Sequence, residues 1–351
     1  MKPPRMNIQN YSLLLGFLSA ILFGSATPAS KWLLIGLSPF QLAGFLYLGA
    51  ALAVAPMAIK KGGLALPSRG DKRNRIRLLG AVIFGGILAP VALLFALKTA
   101  NATSVSLWLN LELAVTAVFG VLFFHDHLGR NSWLGVILTF SATALLSWSQ
   151  GIAGIVSGFL VLITCICWGL DNHFTALIDG ITPSQSTLWK GLVAGFINLS
   201  IGLTLDPLTA NLYTIGLAIT VGLFSYGASI VLYIHSAQVI GATRAQILFS
   251  SAPFFGVALS VIFLNESFSS IHLIATALFL TAIIFILLDS HSHEHQHIAQ
   301  AHEHSHRHDD GHHNHKHENI PSTTRHTHQH RHETILHRHP HLPDLHHRHT
   351  H

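Results

Sequence analysis

Ten apolar runs of about 20 residues, most of them separated by short breaks, constrain this chain more than any other feature. They cover residues 12–35, 38–59, 78–98, 103–124, 132–149, 153–175, 185–205, 213–235, 243–264 and 269–288. About 20 apolar residues in a helix match the hydrocarbon thickness of a bilayer, where only helices and closed barrels satisfy their own backbone groups. The runs predict an all-α integral membrane protein with ten transmembrane helices. Pro28, Pro56, Pro90 and Pro253 fall inside runs, which membrane helices tolerate where neighbours or cavities satisfy the freed groups. Charged residues make up 10% of the chain, against about 25% in a soluble domain. That excludes an ordinary water-soluble enzyme. Lys2 and Arg5 followed by the apolar stretch Leu13–Phe23 have the pattern of a cleavable signal peptide. A counterpart of this run in the second half of the chain favours a retained first helix.

The chain changes material near Ser290. Of its 28 histidines, 23 lie from His291 onward. Half of the 14 basic residues before that point are packed between Lys60 and Arg77. Lying between hydrophobic runs, that cluster reads as a topology signal and not as a nucleic-acid footprint. With the N-terminus inside, the inner loops receive 11 Lys and Arg, and the outer ones only Lys31 and Lys98; Lys190 falls near the inner end of the seventh run. Both termini are therefore expected in the cytoplasm, the protein lying in an inner or plasma membrane. Cys165 and Cys167 are two apart and point to nearly opposite sides of a helix, so they form neither a disulfide nor a metal pair.

A shift of 140 residues carries Ala102-Thr103 onto Ala242-Thr243, Phe123 onto Phe263 and Asp126 onto Glu266. A looser match, at about 145, pairs Phe23-Gly24 with Trp168-Gly169. The unit is five helices. An odd number forces the second copy to enter the membrane upside down, and inverted repeats of this kind build many secondary transporters. The expected layout is a cytoplasmic N-terminus at 1–11, one repeat at 12–149, a second at 150–289, and a disordered His-rich cytoplasmic tail at 290–351.

The stretch from Phe95 to Leu128, its partner from Gly241 to Phe268, and the run CWGLDN at 167–172 resemble the drug/metabolite transporter superfamily, in particular its ten-helix members with two EamA domains. The resemblance covers roughly residues 12–288 and implies a carrier without naming its substrate. Members often have Glu-Pro where this chain has Glu112-Leu113, and Gly-Glu where it has His125-Asp126.

A charged side chain at mid-bilayer costs roughly 2.5–3.5 kcal/mol on insertion scales, so each one needs a reason. Glu112 sits about ten residues into the fourth run, on one face with Thr116 and Gly120. Its mate at the 140-residue shift is Ala252, so the pair is no matched metal clamp. Glu112 reads either as a coupling carboxylate on a central cavity or as hydrogen-bonding glue between helices. Asp171, Asn172 and His173 lie in the last third of the sixth run, where they read either as cavity-lining groups for substrate or coupling or as residues at the cytoplasmic interface. Asp171 shares a face with Thr175, and a metal site from Asp171 and His173 alone needs local unwinding. Trp108 reads as cavity lining or as an interfacial anchor. His125, His127, His235, His272 and Arg244 are expected at headgroups or in loops.

No enzyme is expected. His293-Glu294…His297 and His302-Glu303…His306 match H-E-x-x-H formally, but alternating histidines generate the match without the rigid helix that the motif requires. In the tail, histidine recurs every second residue at His291, His293, His295 and His297, again at His302, His304, His306 and His308, and at His326, His328, His330 and His332. Neutral imidazole ligates Zn, Ni, Co and Cu, and a flexible chain can gather several on one ion. No cofactor is required. The reading that unites these features is a secondary carrier exporting a small metabolite or ion, with a metal-binding regulatory tail. The alternatives are a Ni, Co or Zn efflux carrier and a membrane-anchored metal sensor that transports nothing. Expected partners are the lipid bilayer, a small-molecule or ion substrate and a divalent transition metal. Nucleic acid is not expected, and a homodimer is compatible with the sequence.

Overall fold

The computed structural model describes residues 8–60, 64–68, 70–124, 128–178, 181–240, 245, 248–288, 292–296, 301–306, 326–331 and 336–340. Eight helices are long and apolar enough to cross a bilayer. They are Tyr11–Leu33, Pro39–Lys60, Lys72–Thr99, Ala102–Phe123, Arg130–Ser149, Gly151–Thr175, Pro183–Leu205 and Leu212–Ser236. Two shorter apolar helices, Ala252–Leu264 and Ser270–Ile286, occupy the ninth and tenth runs. Residues 241–244 and 246–247 of the ninth run lie outside the described residues.

Local sequence starts and stops these helices. The Asp71 carboxylate accepts from the Asn74 backbone N–H at 3.1 Å and opens the third helix. Thr182 and Gln185 form a capping box at the seventh, and Asn211 accepts from the Thr214 N–H at 2.8 Å at the eighth. Gly151, at φ 68°, lets the fifth helix turn at once into the sixth. Apolar side chains fill the interior and also cover the outside, where Leu122, Phe123, Ile137, Phe159, Phe196 and Phe263 are exposed. An outer surface of this kind belongs in lipid. The protein is a multi-pass membrane protein.

Packing between helices follows the repeat. The second helix packs on the seventh, the fourth on the ninth and the fifth on the tenth. The first touches the eighth and ninth, as the sixth touches the third and fourth. Glycines set the closest approach. A Cβ at Gly191 would lie 2.8 Å from the Tyr47 carbonyl, and one at Gly44 would lie 2.7 Å from Leu199. These contacts run in opposite chain directions, so the matched second and seventh helices are antiparallel, as two inverted five-helix repeats require.

The irregularities repeat as well. The third helix contains a π segment at Ala81–Leu88 and the eighth one at Gly222–Ala228, about 140 residues on. The fourth breaks into Ala102–Trp108 and Leu111–Phe124, and in the ninth a turn at 250–251 precedes Ala252–Leu264. π segments and broken membrane helices persist where neighbouring groups or a cavity satisfy the backbone, and they mark functional places.

The tail forms a unit of its own. Four short strands are described in it: β1 (Ser292–Gln296), β2 (Ala301–His306), β3 (His326–Arg331) and β4 (Leu336–Pro340). They pair as two antiparallel ladders, β1 with β4 and β2 with β3. Alternation with period two is a strand pattern. Two-stranded ladders without an apolar face are marginal on their own, so this is local pairing without a packed core.

Candidate functional site

The polar groups inside the helical body form a short chain across the fourth, sixth and seventh helices. Glu112 opens the second segment of the broken fourth helix, in its first turn, where a carboxylate meets the free N–H groups of a helix start. Its Oε1 accepts a hydrogen bond from Asn172 Nδ2 at 3.0 Å. The neighbouring Asp171 points to the other side. Its Oδ1 accepts from Thr175 Oγ1 at 2.9 Å and its Oδ2 pairs with Lys190 Nζ at 2.6 Å. Only 7% of the Asp171 side chain and 17% of the Lys190 side chain are exposed. The two carboxylates are therefore set differently. Asp171 has a cation as partner, whereas Glu112 has a neutral amide and lies beside the exposed Asn172.

The third helix makes room for this pair at its π segment. A Cβ at Gly85 would lie 2.0 Å from Asp171 Oδ2, so only glycine allows the carboxylate to come so close. The Tyr47 hydroxyl donates to the Gly85 carbonyl, and Asn198 Nδ2 donates to the Gly86 carbonyl at 3.0 Å. Beyond Tyr47 lies an aromatic cluster. The rings of Tyr47 and Tyr226 are 5.9 Å apart, those of Phe23 and Tyr226 also 5.9 Å, and those of Phe23 and Trp168 6.3 Å. Phe23 and Trp168 are the residues that the looser repeat match equates, and they meet between the two halves. Polar groups bounded by aromatic rings between repeats suit a site that holds a small polar solute.

Among the residues singled out from the sequence, Glu112, Asn172 and Asp171 come together. His173 turns away and packs against Phe119, with ring centroids 6.3 Å apart. Thr116, one turn beyond Glu112, has a buried hydroxyl without a hydrogen-bond partner. Trp108 is fully buried, its indole N–H also unpaired, so it is a packing residue of the interior and not an interfacial anchor. His272 is buried too, between Ser104 and Ser269. Lys190 joins the site through Asp171. As the one charge inside the seventh run it already called for a partner, but nothing in the sequence said which. Tyr47, Tyr226 and Asn198 carried no signal, since single aromatics and amides are common in membrane helices.

In the helical body, no three His, Cys, Asp or Glu among the described residues gather to hold a metal ion. In the tail, His293, His295, His302, His304, His306, His326, His328 and His330 lie in the strands, while His291, His297, His308 and His332 lie outside the described residues. Register sets histidine opposite histidine. His302, His304 and His306 oppose His330, His328 and His326, and His293 and His295 oppose His339 and His337.

Comparison with known proteins gives a family, a relative and a similar fold. The sequence profile of the EamA-like transporter family fits residues 10–148 and 156–288. An uncharacterized transporter of Methanothermobacter thermautotrophicus is 27% identical over 290 residues, covering 76% of this chain and 82% of its own. A crystal structure with a TM-score of 0.59 and 15% identity covers 80% of this chain and 98% of its own, and shows a similar fold.

Proposed function

The chain belongs to the EamA-like transporter family, and on that premise we propose that this membrane transporter is a secondary active carrier exporting a small polar metabolite or ion by alternating access. One observation carries the reading. In an otherwise apolar body, Glu112, Asn172, Asp171 and Lys190 link three helices from both repeats, beside broken and π-helical backbone. Ionisable groups within membrane helices are costly and mark solute or ion pathways. Glu112 is the coupling group, because its partner is an amide that a proton or a cation can replace. Asp171 and Lys190 bind the solute's charged groups or hold the sixth and seventh helices together between turnovers. The carrier lies in an inner or plasma membrane with both termini cytoplasmic. That placement rests on the basic inner loops.

We read the tail as a metal-binding regulatory segment. The support is its composition and the cross-strand register of its histidines. Opposed residues in an antiparallel pair have Cβ atoms about 4.5–5.5 Å apart, a span that two imidazoles on one Zn, Ni, Co or Cu ion can bridge.

Reconstituted vesicles loaded with a panel of amino acids, organic cations and divalent metals test the carrier. Wild-type protein should show solute flux driven by a proton gradient. Glu112→Gln keeps an oxygen for Asn172 but loses the ionisable group, so driven flux should fall at least tenfold while solute exchange without a gradient persists. Driven flux with unchanged size and pH dependence would remove Glu112 from the coupling step.

A further inference from the structure

We propose that Glu266 is the latch closing one end of the transport pathway, joining the start of the fourth helix in the first repeat to the loop between the ninth and tenth helices in the second. The inference rests on the carrier reading and adds a residue that positions the gate. Asn265 ends the ninth helix in a left-handed conformation, φ 52° and ψ 33°, and so turns the chain toward the fourth. The Glu266 carboxylate there accepts three hydrogen bonds, from Ala102 N–H at 2.8 Å, Thr103 N–H at 2.7 Å and Thr103 Oγ1 at 2.6 Å. Lys31 of the first helix donates to the Leu97 and Ala100 carbonyls, at 2.6 and 2.9 Å. The turn between the third and fourth helices is thus held by a cation at its carbonyl side and a carboxylate at its amide side, the favourable sense of both helix dipoles.

Two further layers lie beneath. His272 of the tenth helix contacts Ser104 Oγ at 3.0 Å and Ser269 Oγ at 2.7 Å, and Gln150 Nε2 donates to Ser104 Oγ at 2.5 Å. Below that, a Cβ at Gly256 would lie 2.6 Å from Ser106 Oγ and 3.1 Å from the Gly24 carbonyl, so the first, fourth and ninth helices touch. Every residue from Ala102 to Trp108 is buried. Ten residues on from Ala102, about 15 Å along a helix, Glu112 is only partly covered and its partner Asn172 is exposed. The helices are packed shut at the Glu266 end, whereas Asn172 beyond it is exposed.

A cap serving only its helix has no need to come from afar. Asp71, Thr182 and Asn211 cap their helices from three residues away. Glu266 lies 164 residues from Ala102 and ties one half of the molecule to the other. Opening this end requires the carboxylate to leave all three donors, and their strength biases the carrier toward the closed state.

The test reads accessibility in full-length protein in detergent, so it needs no substrate and its outcome is separable from any flux result. Ser106→Cys marks the closed end and Asn172→Cys the open side. Each is labelled with fluorescein maleimide, with buried Cys165 and Cys167 as the slow background. Adding Glu266→Gln should speed labelling at position 106 at least tenfold and slow it at position 172, while Glu266→Asp keeps the closed pattern. Thr103→Val removes one donor and should shift both rates in the same directions by less, which decides the matter if Glu266→Gln does not fold. Faster labelling at both positions would mean a cap that only holds the fold. Unchanged protection at position 106 would equally overturn the latch.

Discussion

Replacing Lys190 by Met isolates the energetic role of the buried ion pair. The substitution keeps the length and apolar stem of the side chain but strips Asp171 of its cation, leaving its carboxylate the single Thr175 hydroxyl at 2.9 Å. Asp171 cannot swing toward the third helix, because Gly85 already lies against it. Removing one partner of a buried pair costs about 3–5 kcal/mol, whereas replacing both is close to neutral. The single variant should therefore melt about 6–10 °C lower, at about 2 °C per kcal/mol for a chain of this size. Asp171→Asn with Lys190→Met should recover about half of that loss, although Asp171→Asn alone also strips the pair of one partner, so the two single losses should fall well short of adding in the double-mutant cycle. Cys165 and Cys167 are buried, so a thiol-reactive dye that fluoresces when they become exposed follows unfolding in detergent without added labels. Purely additive losses would refute the reasoning, because Asp171 and Lys190 would then be adjacent without being coupled.

Three other outcomes follow from the geometry. Gly85→Ala places a methyl group 2.0 Å from Asp171 Oδ2 and should destabilise by about 1–3 kcal/mol as overpacking does; the same thermal assay should show partial rescue by Asp171→Ala. Exchanging neighbours in the tail, His304→Ser with Ser305→His, keeps the composition but removes a histidine from its place opposite His328. Zinc affinity measured by chelator competition should fall, and recover when Thr327→His with His328→Thr restores an opposed pair. Hydrogen bonds from the Asn74 backbone and side chain hold the Asp71 carboxyl below the usual carboxylate range. A lowered native pKa contributes stability above the ordinary value that is lost as pH falls through the lowered one. The melting difference between wild type and Asp71→Ala should accordingly be full at neutral pH and vanish at strongly acidic pH.

Much of the architecture could be read from the sequence, because its causes are local or periodic. Apolar runs had to become helices, since lipid offers their backbone no other partner. The 140-residue shift already carried the inverted repeat, and Glu112 and Asp171 stood out as charges inside apolar runs. The seams of the site were not legible. Lys190 stood near the inner end of its run without a named partner, Trp108 fitted cavity lining as well as an anchor, and His272 looked like a loop or headgroup histidine, because a side chain's depth depends on which helices cover it.

From residue order alone came ten spans, their inversion, and a tail made of different material, all properties of stretches that answer to lipid or water one residue at a time. Tertiary structure alone decided which distant groups meet: Asp171 with Lys190, Glu112 with Asn172, and Glu266 with the start of the fourth helix. Those meetings depend on where glycines such as Gly85 and Gly256 let helices from opposite halves approach. Such close approach is a property of surfaces packed together, and no single stretch of the chain contains it.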